Sequence, residues 1–200
     1  MESIEATALA RSDRYLREFV EALELCPFAR QCRESGRLAR RVVLGERPAE
    51  ATAAAVRELE ATTEEQVEVA LLIYPEFHGD VRAFEALRDD VRRSLRLFYC
   101  VAFHPDLPMD LSDANRAVAF LRRSPDPTLQ LVRISTLERI RSRRPAGSTY
   151  VDPATLSAAD LSAFDRPLSV SEQIARANLR AVHQHGPETL ATLLRRLRLP

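Results

Sequence analysis

The chain has 200 residues, 46% of them hydrophobic, which suits one globular domain, alone or with an appendage. Its 29 basic residues, all arginine, balance 29 acidic ones, so it lacks the positive field that drives most binding to nucleic acid or anionic membranes. The absence of lysine excludes Schiff-base chemistry, a low-pKa amine base and a phosphate-cradling ammonium.

In chain order, Leu9, Leu16, Phe19, Val20 and Leu23 recur at helical spacing and predict an amphipathic helix that stops near Leu25, because Pro27 cannot continue it. Alternating segments follow. Strands are expected at 38–44, 67–74, 98–103 and 128–134, and helices at 49–62, 81–96 and 112–122, with a short helix starting at Thr136. This order predicts an α/β fold with a mostly parallel four-stranded sheet and helices on both faces; a split βαβ unit with one antiparallel strand is the competing arrangement. Residues 145–170, rich in Pro, Ser, Ala and Asp, read as a long connection or lid. Residues 171–200 add two helices, broken at Gly186, that are expected to pack on the domain formed by residues 1–144. No stretch approaches the roughly 20 apolar residues of a membrane span, and three cysteines cannot all pair, so a soluble protein in a reducing cytoplasm is expected. The pattern does not set the oligomeric state, and a homodimer fits it.

In a parallel sheet, ligands gather at the carboxyl ends of the strands. YPEFHGD (Tyr74–Asp80) and FHPD (Phe103–Asp106) fall at such ends, so Tyr74, Glu76, His78 and His104 are candidates to share one mouth. His104 stands out because it directly follows an apolar strand and precedes a proline. His183 and His185, at the end of a late helix, read as ordinary dipole-favoured residues. Cys26 allows two opposite readings. As the last residue of the first helix it is an inert buried thiol; as the N-cap of a new helix led by Pro27 it is a stabilised thiolate, fit for nucleophilic attack or ligation. Cys32 and Cys100 read as packing residues. In RRSPDPTLQLVR (Arg122–Arg133), arginine forks suit a carboxylate or phosphate, with Arg123 singled out as the anion-holding residue and an internal ion pair as the alternative. Five glycines form no dinucleotide fingerprint or phosphate loop.

LCPFA, FHPD, RSPDPTLQLVR and the late IARANL around Asn178 together resemble domain-of-unknown-function family 1415, over residues 12–140 and again over the 171–182 helix. In that family histidines also stand after the second strand and inside the fourth; at those positions this chain has Tyr74, Glu76 and Gln130. The resemblance therefore implies a divergent member that keeps Cys26 and His104, with Tyr74, Glu76, His78 and Gln130 placed toward substrate. The motif order is also similar to that of YqcI/YcgG-type proteins, some of which bind haem and N-hydroxylate guanidino groups. That similarity implies a haem-dependent oxidative enzyme acting on an amino-acid-like substrate, with Cys26 or His104 as the metal ligand and Arg123 or Arg133 meeting the propionates. A cofactor-free Cys26–His104 transferase or hydrolase, and a non-catalytic binding protein, are the alternatives.

Overall fold

The computed structural model describes residues 3–26, 28–45, 48–110, 114–142 and 170–199. The expected connection at 145–170 lies outside the described residues except for Val170. Helix α1 (Ile4–Arg14), capped by Ser3, widens into a π-helical stretch over Tyr15–Glu21. A Schellman motif ends it: the Leu25 amide donates to the Val20 carbonyl and the Glu24 amide to the Glu21 carbonyl, with Glu24 at φ 52° where glycine is usual. The stop expected near Leu25 is thus made by backbone capping. Then come α2 (Ala29–Glu34), β1 (Leu38–Val42), α3 (Ala49–Glu60), β2 (Val69–Ile73), α4 (Val81–Ser94), β3 (Phe98–Phe103), α5 (Ala114–Leu121), β4 (Thr128–Arg133) and α6 (Ile134–Ser142). The C-terminal helices are α7 (Val170–His185) and α8 (Pro187–Leu197).

The sheet order is β1-β2-β4-β3. Strands β1 and β2 pair in parallel, but β4 pairs antiparallel with both β2 and β3. The expectation of a mostly parallel sheet is therefore corrected: the sheet is mixed, with β4 inserted between the two strands of a split βαβ unit. The Tyr74 amide donates to the Pro127 carbonyl at 2.9 Å, so the entry to β4 fills the crevice between the carboxyl ends of β2 and β3. That crevice is where a parallel sheet would bind its ligand.

The alternation of side chains along each strand sorts them onto two faces. Ala70, Leu72 and Tyr74, with Leu129, Leu131, Phe98 and Cys100, join Val56 and Leu59 of α3 and Phe84 and Val91 of α4 in one buried cluster. The opposite face carries Leu71 and Ile73, against which Ala8, Leu9 and Leu16 of the N-terminal helix pack. A third cluster joins Tyr15, Phe19, Phe120 and Leu121 to Ala181 and Val182 of α7 and to Leu190, Leu194 and Leu197 of α8. The three α8 leucines share one helical face, and their burial contributes roughly 1.5–3 kcal/mol each. Among the described residues no helix is long and apolar enough to cross a membrane.

Segment α2 is tied to the π-helical stretch by charge. Arg33 meets buried Glu21 with two hydrogen bonds, at 2.7 and 2.9 Å. The Arg33 hydrogen bond holds the Glu21 carboxyl below the usual carboxylate range, against the opposing effect of burial. A depressed folded-state pKa contributes stability above the unfolded value, about 4.3, that is lost as pH falls through the folded value. Glu21→Gln is therefore expected to cost about 1–2 kcal/mol at pH 7 and progressively less below about pH 4. Urea midpoints of both proteins at the two pH values check this; a gap that does not narrow in acid refutes it.

Candidate functional site

On the sheet face opposite α3 and α4, the described residues enclose a cavity of about 550 Å³. Its floor is the outward set of strand residues: Leu71 and Ile73 of β2, Gln130 and Val132 of β4, Val101 and Phe103 of β3. Its walls come from the N-terminal helix, the Leu25–Cys32 segment, the end of α5, the start of α6 and Asn178 of α7. A volume of this size is that of a small-molecule site, and its apolar floor with a few polar groups fits the same description.

Most charges on the wall are already matched. Arg11 grips Asp126 through two hydrogen bonds at 3.0 and 2.7 Å. Glu68 accepts from Arg37 at 2.9 Å and also from Arg139. Arg122 differs. It stands one helical turn after Val118, on the same face of α5, and both line the cavity. Among the described residues its guanidinium has no hydrogen bond and no carboxylate within ion-pair distance. Burial pulls its pKa down, Tyr99 and Tyr15 partly oppose this, and Arg88 adds to it. A half-buried cation without a counter-charge is costly unless an anion reaches it.

Two further polar atoms on the wall are unmatched. Among the described residues, Thr136 Oγ1 and Asn178 Oδ1 are buried side-chain atoms without any hydrogen-bond partner. Leaving such a group unpaired costs about 1–3 kcal/mol.

Of the residues the sequence selects, Cys26 and Gln130 line this cavity. Burial pushes the Cys26 thiol up, and the Phe28 and Ala29 amides directed at it only partly offset this. The thiol form is therefore favoured, between the two electrostatic readings of the sequence. Burial likewise raises the Cys32 thiol to about 11 and Cys100 to about 12. All three cysteines are free.

The other candidates stand elsewhere. His104, 4% exposed, is not on the cavity wall. It shares the parity of Phe98, Cys100 and Ala102, which is the α4 side of the sheet, and its ring lies 5.8 Å from that of Phe84. Its Nδ1 accepts from the Asp106 amide at 3.1 Å, which leaves Nε2–H to donate to the Gly79 carbonyl at 3.3 Å. Both nitrogens are spent on joining two loops, so a mouth shared by Cys26 and His104 is not formed. Tyr74 is buried under α3, where its hydroxyl pairs with Thr52 at 3.1 Å. Glu76 accepts from the Gly45 amide, and His78 is exposed. Arg123 donates to the Pro105 carbonyl at 2.9 Å. Arg133, at the opposite end of β4, donates to the carbonyls of Val67 and Thr62 and covers the Phe98 ring at 4.5 Å. Of the four residues assigned to haem, only Cys26 reaches the cavity, and its favoured form is the thiol; as a haem donor set they do not fit. Among the described residues, no group of three or more His, Cys, Asp or Glu side chains is placed to hold a metal ion.

Sequence reasoning selected Arg123 where its neighbour Arg122 faces the cavity. The usable signal was the four-residue spacing from Val118. For Thr136 and Asn178 no local signal existed, since an unmet hydrogen bond exists only once the surrounding groups are placed.

Fold and site together define a mixed α/β protein with a split βαβ sheet and a ligand-sized cavity on one face. The chain belongs to the family described as "Protein of unknown function (DUF1415)", whose sequence model matches residues 7–152. The match takes in the sheet and the α1–α6 framework, and it stops before α7. No curated protein and no solved structure shows significant similarity to the chain.

Proposed function

We propose that the protein binds a small molecule with one anionic group and an apolar body in the cavity beneath α5. The observation that carries this reading is Arg122, a cation on the cavity wall that has no carboxylate partner among the described residues. An arginine fork is suited to a carboxylate or phosphate, and a charge-assisted pair screened from water contributes more than an exposed one. The apolar strand residues beneath it supply the area that holds the rest of the ligand. If the site is catalytic, Cys26 and Cys32 are the wall thiols with covalent chemistry to offer, though His104 is not placed to serve as their base.

Octanoate is a sufficient probe. Titration calorimetry is expected to detect its binding to the wild type, weakened about 10- to 100-fold by Arg122→Gln, the factor expected for one lost charge-assisted pair. Arg123→Gln is expected to leave it unchanged, because Arg123 is spent on Pro105. No binding by the wild type, or equal binding by Arg122→Gln, sinks the reading.

The haem-dependent alternative rests on Cys26 alone, the one residue of its donor set on the cavity wall. A Soret band in the purified protein, lost in Cys26→Ala, would favour it over simple anion binding.

A further inference from the structure

Resting on the reading of Arg122 above, we infer that the cavity's occupant also carries a neutral hydrogen-bond donor, a hydroxyl or an amide N–H, remote from its anionic group and received by Thr136 and Asn178. The two buried, unpartnered side-chain atoms among the described residues are Thr136 Oγ1 and Asn178 Oδ1. Each residue is 5% exposed, each comes from a different helix, and both line the same cavity as Arg122. A helical threonine can ordinarily relieve itself on the carbonyl one turn back. Thr136 does not.

The polarity of the missing partner follows from the atoms. An amide oxygen accepts, so the ligand must present a polar hydrogen to Asn178 Oδ1, and the Thr136 hydroxyl can accept as well. Its charge follows from the wall. The carboxylates there, Glu68 and Asp126, are held by Arg37 and Arg139 and by Arg11. Among the described residues an ammonium would find no free counter-charge, at a far greater desolvation cost than a hydroxyl. The amino-acid-like substrate expected from the sequence is thereby narrowed to a hydroxy- or amide-bearing acid.

The spacing follows from β4. Arg122 lies beside the start of β4, because its carbonyl accepts from the His104 amide just after β3 and Phe103 pairs with Thr128, whereas Thr136 follows the strand's end at Arg133; five strand steps separate the two ends by roughly 17 Å. The arginine side chain spans part of that distance. The anion and the donor therefore belong at opposite ends of an elongated body.

Calorimetry of the full chain with octanoate, 8-hydroxyoctanoate and 8-aminooctanoate tests this. The hydroxy acid is expected to bind about tenfold tighter than octanoate, the scale of one added hydrogen bond, and the amino acid to bind weaker than the hydroxy acid. Thr136→Val and Asn178→Leu should each bring the ratio of 8-hydroxyoctanoate to octanoate affinity closer to one. Equal binding of octanoate and 8-hydroxyoctanoate by the wild type overturns the inference, even where the Arg122 dependence holds. So does tighter binding of the amino acid, or a gain that survives in both variants. If octanoate fails to bind, or binds independently of Arg122, the inference falls together with the reading it rests on. Should the variants not fold, the wild-type comparison of the three probes decides alone.

Discussion

Arg133→Met is expected to lower stability by about 3 kcal/mol while leaving octanoate affinity unchanged. Arg133 is 5% exposed, and its guanidinium donates to the Val67 carbonyl and to the carbonyl and hydroxyl of Thr62, each at 2.9 Å. Methionine fills much of the same volume but leaves those acceptors without donors, of which the buried Val67 carbonyl is the costliest. The cation–π contact with Phe98 is lost as well, a contribution of about 1 kcal/mol. Urea denaturation, read as a lower midpoint at unchanged slope, measures the effect. A loss below about 1 kcal/mol, or a loss of binding without loss of stability, would return Arg133 to the ligand-binding role that the sequence suggested.

His104→Ala is expected to cost about 2–3 kcal/mol, again without altering octanoate binding. Its ring ties the loop after β3 to the loop before α4, through the Asp106 amide and the Gly79 carbonyl, and packs against Phe84. Truncation removes both hydrogen bonds and leaves a void in a buried site. His104→Asn can still offer an acceptor to the Asp106 amide, so it is expected to recover part of the loss. A catalytic imidazole would behave otherwise: stability nearly retained, activity gone and no recovery with asparagine. Thermal unfolding of the three proteins beside a binding titration separates the two.

Both variants concern residues that the sequence placed in a functional site and the structure places in the framework, and the reason is the same for each. Reading the chain as βαβαβαβ gives the elements but not the direction of the last strand. Helix α5 lies between β3 and β4, and the register pairs Phe103, the last residue of β3, with Thr128, the first of β4. The chain therefore begins β4 at the edge where β3 ended and runs back down between β2 and β3. That insertion closes the crevice into which Tyr74, Glu76, His78 and His104 were expected to converge.

Strand parity then separates what edge position alone seemed to unite. Tyr74 and His104 continue the series that faces α3 and α4, whereas Gln130 continues the series that floors the cavity. The alternation itself was legible, since Phe98, Cys100 and Ala102 already marked one face. Which face would carry a cavity was not, because that depends on how closely distant helices approach the sheet. Cys26 was selected as a thiol at a helix boundary and does stand on the cavity wall. Its protonation follows from burial, which no local pattern supplies.

The sequence by itself determined the order and type of nearly every described element, because hydrophobic periodicity and proline or glycine breaks act over a few residues. It also determined the family, through motifs spread across the sheet framework. Only the packed fold shows that the sheet is mixed and that, among the described residues, Arg122 and not Arg123 is the unpaired cation of the cavity wall, while Thr136 Oγ1 and Asn178 Oδ1 lack hydrogen-bond partners. Each of these depends on what lies across space from a side chain: an ion pair made or missing, a carbonyl reached or not. Such facts are set by contacts between residues far apart in the chain, where local propensity carries no information.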